Sequence, residues 1–309
     1  MESNPISGDE ARNWLELPAD ITSMILLKLG AIEILSSAQS VCSLWRKICK
    51  DPLMWRVVDM HNMGEWDMDY DLEQMCIQAV DRSCGELIDI NIQYFGTNEL
   101  LQYITQSSNQ LRRLRIVRCH SITDTGLSEA VSKLPLLEHL EISLCSFTEK
   151  TLETVGRCCR LLKSLKLDCQ DCRRGMIDCD RDAIAIAENM PNLRYLQIFG
   201  SSLTDRGLQA ILDGCPDLES LDLRQCFNLD LVGQLGVECA ERIKHLRLPH
   251  DPTDDYEFIV ETDGFGDDDS LDEDYPSGFS DIDFLTEDDD YYEWSGGSNF
   301  SDYADFYFD

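Results

Sequence analysis

Residues 251–309 contain no lysine and no arginine, but 22 aspartates and glutamates. The rest of the chain holds 37 acids against all 26 bases, so it carries −11 of the total charge of −33. The body is therefore mildly acidic, and a general nucleic-acid or anionic-membrane surface is disfavoured. Long apolar runs are lacking too, and none approaches the length of a membrane span. The opening "MESNPISGDEARNW" has no apolar segment of the kind a secretory signal carries. Also missing are the G-x-x-x-x-G-K-[ST] phosphate cradle, the G-x-S-x-G nucleophile turn and the H-E-x-x-H metal helix. The five histidines (His61, His120, His139, His245 and His250) are scattered. No catalytic residue, cofactor or metal is expected.

Fourteen cysteines in a 309-residue chain without a secretory signal predict reduced thiols in an intracellular compartment, nucleus or cytoplasm. Most fall into a repeat. "LIDINIQYF" begins at Leu87, and related segments begin at Leu111, Leu137, Leu162, Leu193, Leu218 and Ile243, with spacings of 24, 26, 25, 31, 25 and 25 residues. Each reads L-x-x-L-x-L, alternating like a strand with one buried face. Helical spacing follows at Leu127, Ala130, Val131 and Leu134, and again at Leu152, Val155, Gly156 and Cys159. The same pattern recurs at Leu208, Ile211, Leu212 and Cys215, and at Val232, Leu235, Gly236 and Cys239. Thr123 and Thr204 are expected N-caps, with Asp124 and Asp205 complementing the helix dipoles. One strand and one helix per ~25 residues is the pattern of a leucine-rich-repeat solenoid, in which stacking buries what a single unit cannot.

Cys119, Cys145 and Cys226 occupy the ninth repeat position, while Cys84, Cys159, Cys215 and Cys239 close helices. Cys169, Cys172 and Cys179 lie in the one long unit, in "DCQDCRRGMIDC". The spacing is suggestive of a metal, but a fourth ligand is missing and no histidine is close; an exposed insertion is favoured.

Ahead of the repeats, "LPADITSMILLKLG" places Ile21, Ile25 and Leu29 four apart with Met24 beside them. Pro18 suits a first helical position and Gly30 a helix stop. A second short helix is expected over Ala31–Ser37, and a third carrying Ala38, Val41, Cys42, Trp45 and Cys49. Three short helices in ~40 residues are too small to bury this much apolar surface internally. A helical partner, or packing onto the solenoid, is implied.

The Leu-Pro start, the spaced aliphatics, "VCSLWRKIC" and "DPLMW" resemble an F-box, and the repeats resemble the cysteine-containing leucine-rich repeats of F-box proteins. "RNWLELP" and the acidic finish resemble the plant F-box/leucine-rich-repeat proteins in particular. The resemblance covers about 250 residues. It implies an α/β architecture with disordered residues 1–13, a three-helix F-box at 14–60, a solenoid at 61–249 and a disordered acidic tail at 250–309. It implies docking onto the adaptor of an SCF ubiquitin ligase, and through it onto cullin. The contact residues carried over are Leu17, Pro18, Ile21, Ile25, Leu29, Leu35, Val41, Cys42 and Trp45, and Trp55 would lock the motif onto the first repeat. The chain would be a non-catalytic receptor that positions a protein substrate for modification.

The outward strand positions line the concave face and include five Arg or Lys against three Asp or Glu. Arg113, Arg115, Tyr195, Phe199, Arg224 and Arg247 are the candidate substrate contacts, with Tyr195 and Phe199 as an exposed aromatic centre. From Asp251 onward acids alternate with aromatics, 14 of 59 residues being Phe, Tyr or Trp. That composition predicts disorder and stickiness. The tail is expected to fold over the concave face and compete with substrate; recruiting basic proteins and plain solubilisation are the alternatives. Ser270 sits in an acidic kinase-site context. A scaffold or acidic chaperone working outside a ligase is the competing reading of the whole chain.

Overall fold

The computed structural model describes residues 17–62, 71–169 and 180–258. Eight short strands form one parallel sheet in strict sequence order. They are β1 (Val57–Met60), β2 (Asp89–Gln93), β3 (Arg113–Val117), β4 (His139–Ser143), β5 (Ser164–Asp168), β6 (Tyr195–Phe199), β7 (Ser220–Asp222) and β8 (His245–Arg247). A helix follows each of the first seven: α5 (Leu72–Arg82), α6 (Asn98–Ser107), α7 (Asp124–Val131), α8 (Glu149–Cys158), α9 (Arg181–Asn189), α10 (Asp205–Gly214) and α11 (Gln234–Arg242). This is the solenoid that the repeat predicts. Its first strand, β1, falls before the expected boundary at residue 61: "VVDM" lacks the repeat's leucines, but its alternating burial joins it to β2.

The core lies between sheet and helices. The second and fourth residues of the strands point inward, as Leu114 and Ile116, Leu140 and Ile142, and Leu165 and Leu167 all do. The leucine opening each unit (Leu87, Leu111, Leu137, Leu162, Leu193, Leu218) packs beneath them, also buried. Helices meet closely where side chains are absent. A Cβ on Gly156 of α8 would stand 2.6 Å from the Asn189 carbonyl oxygen of α9. The last unit is weaker. Val232, expected on the buried face of α11, is exposed and precedes the helix, and Cys239 is the one buried residue of α11.

Three devices repeat from unit to unit. Strands leave the sheet through a left-handed residue: Tyr94, Arg118, Leu144, Gly200 and Gln225 have φ of 71°, 50°, 55°, 68° and 65°. The amides of Tyr94, Arg118 and Gln225 still donate to the next unit, to Val117, Ser143 and Pro249 carbonyls at 2.9, 3.0 and 2.9 Å. The turn therefore costs no ladder bond. A polar side chain at several helix starts reaches into the next unit: Asn98 accepts from the Thr123 amide (2.9 Å), Asp180 from the Thr204 amide (2.9 Å) and Asp205 from the Asp230 amide (2.9 Å). Thr123 is an N-cap, accepting from Gly126, whereas the Thr204 hydroxyl donates to Asp180 instead of capping its own helix. The buried thiols form the third device. Cys226 donates to the Ile198 carbonyl (3.0 Å), Cys119 to Val117 and Ile92 (3.3 and 3.6 Å), and Cys215 to Met190 (3.5 Å). Burial pushes the Cys119 and Cys215 thiols up to about 11, and Cys76 and Cys159 up to about 12. No disulfide joins the cysteines among the described residues. Cys84 departs from its expected role: it is exposed and left-handed (φ 50°) in the turn after α5. Cys172 and Cys179 lie outside the described residues, as does all of the candidate metal segment after Cys169.

At the N-terminal end stand α1 (Ala19–Leu27), α2 (Gly30–Glu33), a π turn (Ile34–Ala38), α3 (Gln39–Val41) and α4 (Ser43–Ile48). Pro18 is the cap of α1, not its first residue, and its carbonyl accepts from the Thr22 amide at 3.0 Å. Gly30, at φ 82°, turns the chain out of α1 as expected. The second helical stretch runs on to Val41, because the π turn brings Ile34, Leu35 and Ala38 inward together. The break falls at extended Cys42, whose sulfur caps α4 by accepting from the Trp45 amide at 3.4 Å. Among the described residues, no helix is long and apolar enough to cross a membrane.

Candidate functional sites: an apolar helical face and a strapped concave sheet

On α1 the inward residues are Thr22 and Leu26. The predicted apolar face therefore turns outward: Ile21 is 41% exposed, Met24 62% and Leu29 44%, with Leu27 exposed as well. Val41 and Leu53 are also exposed, Pro18 is exposed, and Leu17, Ile25, Cys42 and Trp45 are half-buried. Leu35, also among the expected contacts, differs from these: it is buried core within the π turn. This small unit therefore leaves several large apolar side chains uncovered on its outside.

The unit is locked to the solenoid. Trp55 is buried, and its indole N–H donates to the Cys49 carbonyl at 2.9 Å. The guanidinium of Arg82, on α5, lies 5.2 Å from the Trp55 ring and donates to Gln39 Oε1 at 2.8 Å. The Trp55 role was legible in the sequence. The Arg82 clamp was not, because nothing in its local pattern separates it from any basic residue ending a helix.

The concave face is organised in rows by the parallel register. Arg113, His139, Ser164, Tyr195, Ser220 and His245 are aligned across β3 to β8. This first row is open, with Tyr195 46% exposed, and it borders a hollow of about 530 Å³ that also reaches Lys166 and Arg247. Burial and the nearby Arg113 cation push the His139 imidazole below its usual range. The second row carries Arg115, Glu141, Lys166, Gln197, Asp222 and Arg247. Glu141 accepts from Arg115 at 2.7 Å and pairs with Lys166 at 3.4 Å.

The third row, Val117, Ser143, Asp168 and Phe199, is buried although alternation points it outward. Much of its roof is the chain itself. Asp251–Phe258, expected as disordered tail, crosses the sheet as a strap. The Tyr256 ring stacks on Phe199 with centroids 3.7 Å apart and 2° between planes, and its hydroxyl donates to Asp168 at 2.6 Å. Phe258 packs edge-on against Tyr256 and lies 5.9 Å from the Arg115 guanidinium. Arg224 donates to Asp255 at 2.6 Å and to the Pro252 carbonyl at 3.0 Å, while Asp222 holds its other edge at 2.8 Å. Arg247 donates to Asp255 at 3.0 Å, and Arg115 to Glu257.

Charge follows this geometry. The Arg224 hydrogen bond, with that of Arg247, holds the Asp255 carboxyl below the usual carboxylate range. Burial, and then the Asp168 charge, push the Tyr256 hydroxyl up, so it stays a donor. Two of the candidate contacts are thereby covered by the chain itself. Phe199 is 0% exposed and Arg224 4% exposed, because Tyr256 and Asp255 cover them. Arg113, Arg115, Tyr195 and Arg247 remain on the face. Acid–aromatic alternation was the signal for the strap, but composition could not say which residues seat.

A family model described as F-box-like matches residues 14–61. A second, for the LRR repeats of FBD-associated F-box protein At5g56370, matches residues 170–235. The chain is 54% identical over 303 residues to F-box protein SKIP19 of Arabidopsis thaliana, covering 97% of this chain and 95% of that protein. It is 47% identical over 257 residues to Putative F-box/LRR-repeat protein 22 of the same plant, covering 82% and 83%. Putative F-box/LRR-repeat protein 23 is 55% identical over 245 residues, which are 79% of this chain and 55% of that protein. With a helical unit that presents apolar side chains, a stacked strand–helix solenoid behind it, and this identity along nearly the whole length, the chain belongs to the F-box/leucine-rich-repeat protein family of plants.

Proposed function

We propose that this protein is the substrate-recognition subunit of an SCF ubiquitin ligase. It docks on the adaptor through its N-terminal helices, and through the adaptor on cullin, and it presents a protein substrate on the repeats. The observation that carries this reading is the orientation of α1: Thr22 and Leu26 face inward, so Ile21, Met24 and Leu27 face solvent, and Leu29 just beyond the helix is exposed beside them. A helix of nine residues gains little by exposing such side chains unless a partner covers them. The chain itself performs no chemistry in this reading. Its contribution is positional, holding a substrate lysine at high effective concentration near a charged conjugating enzyme. The lock at Trp55 and Arg82 supports a fixed geometry between docking helices and repeats.

The test is co-purification with the SCF adaptor, comparing wild type with Leu17→Ala/Pro18→Ala and with Ile21→Glu/Met24→Glu. Wild type is expected to bind and both variants to lose binding while keeping their helical content by circular dichroism. An adaptor that ignores the wild-type chain would overturn the ligase reading and favour a scaffold or chaperone acting through the acidic tail.

A further inference from the structure

The strap holds the concave face almost entirely through side chains. Asp255 lies between Arg224 and Arg247, Glu257 bonds Arg115, and Tyr256 lies flat on Phe199. Its backbone contributes little to the sheet. The Asp251 and Tyr256 amides bond to the nearby Leu248 and Thr253 carbonyls, and no strand pairing joins the described strap residues to β1–β8. A segment attached in this way can leave without breaking the ladder. What it would uncover is a built site: a flat aromatic floor at Phe199 with Arg115, Arg224 and Arg247 around it. Such a floor favours a ligand that brings both a ring and carboxylates.

We propose that this site recognises an acidic segment of a protein substrate in which one aromatic residue is flanked by carboxylates. Asp254-Asp255-Tyr256-Glu257-Phe258 is its internal occupant, which the substrate segment displaces. From the receptor reading the proposal takes only that the displacing segment belongs to a substrate. The chemistry of recognition stands on the strap contacts. The strap follows β8 within a few residues, so its local concentration at the site is on the order of millimolar. A free segment with the same contacts competes poorly until the strap is weakened.

The experiment uses the full chain and a fluorescent peptide copying residues 251–258, with binding read by anisotropy. A strap-opened variant, Asp255→Ala/Tyr256→Ala, is expected to bind the peptide about 10- to 100-fold more tightly than wild type. A milder variant, Asp255→Asn/Glu257→Gln, keeps the ring and is expected to give a smaller gain in the same direction. Adding Arg115→Glu and Arg247→Glu to either, or replacing the peptide tyrosine with alanine, is expected to abolish binding. Equal affinity for wild type and both opened variants, no binding by either, or binding indifferent to the peptide tyrosine would each overturn the proposal. Adaptor co-purification of the same variants keeps the two readings apart. Retained adaptor binding without peptide binding strikes only this proposal, and the reverse strikes only the ligase reading.

Discussion

A single carboxylate at Asp124 ties two repeats together. It accepts from the Thr148 amide at 2.7 Å, the Thr148 hydroxyl at 2.9 Å and the buried Thr151 hydroxyl at 2.5 Å. Burial opposes the Asp124 charge, but the hydrogen bonds from Thr151 and Thr148 outweigh it and hold the carboxyl below its usual range. Asp124→Ala leaves a backbone N–H and a buried hydroxyl without this partner and is expected to cost about 1–3 kcal/mol in thermal or urea unfolding. Because the folded pKa is depressed, the stabilisation is fully present above the unfolded value of about 3.9 and is lost as pH falls through the lower folded value. The stability gap between wild type and Asp124→Asn is therefore expected to hold from neutral pH to about 5 and to close on further acidification. Spacing alone identified Asp124 as a residue complementing its own helix dipole. The bonds to Thr148 and Thr151 were invisible because they depend on the next unit's position in space, 24 and 27 residues on.

At the scale of the element, α1 divides its side chains between two jobs. Leu26 is fully buried, and Leu26→Ala is expected to cost about 2–5 kcal/mol. Ile21→Glu and Met24→Glu face solvent and are expected to change stability by no more than about 0.5 kcal/mol. Unfolding curves for the three variants separate the proposed docking face from the packing face without any partner present. The sequence showed an apolar helix with more surface than a small bundle could use. It did not show that Thr22 takes an inward place, or that a π turn draws Leu35 into the core, because helical periodicity assumes a regular turn and π geometry shifts every later residue. The same limit affected Cys42, which spacing placed inside a helix and which instead stands extended at its start.

For the whole molecule, stability comes from neighbours, since each strand pairs only with the strands before and after it. Leu140, in the interior strand β4, is buried between two complete units, whereas Leu246 in the terminal β8 is only half-buried. Leu140→Ala is expected to cost about 2–5 kcal/mol and to reduce hydrogen-exchange protection in the flanking units; Leu246→Ala is expected to cost less, with its effect confined to the end. The strap belongs to this scale as well. Its ion pairs with Arg115 and Arg247 are partly exposed and open to screening, while the Tyr256–Phe199 stack is not ionic. Raising ionic strength is expected to increase hydrogen exchange of residues 251–258 before that of the strands, and exchange unaffected by salt would count against the ion pairs as fasteners.

The sequence alone determined the solenoid, its phase and the resemblance of its front to an F-box. Those features are written in local periodicity, where leucines at fixed offsets must share a face. It also marked the acidic aromatic stretch and the basic bias of the concave rows. Tertiary structure decided what only placement in space can decide: that β1 joins the sheet without a repeat signature, that Arg82 clamps Trp55, and that Phe199 and Arg224 lie covered. It seated Asp255, Tyr256 and Glu257 on residues up to 142 positions away in the chain. Charge and ring complementarity across such distances leave no period in a sequence, so only the folded sheet brings them together.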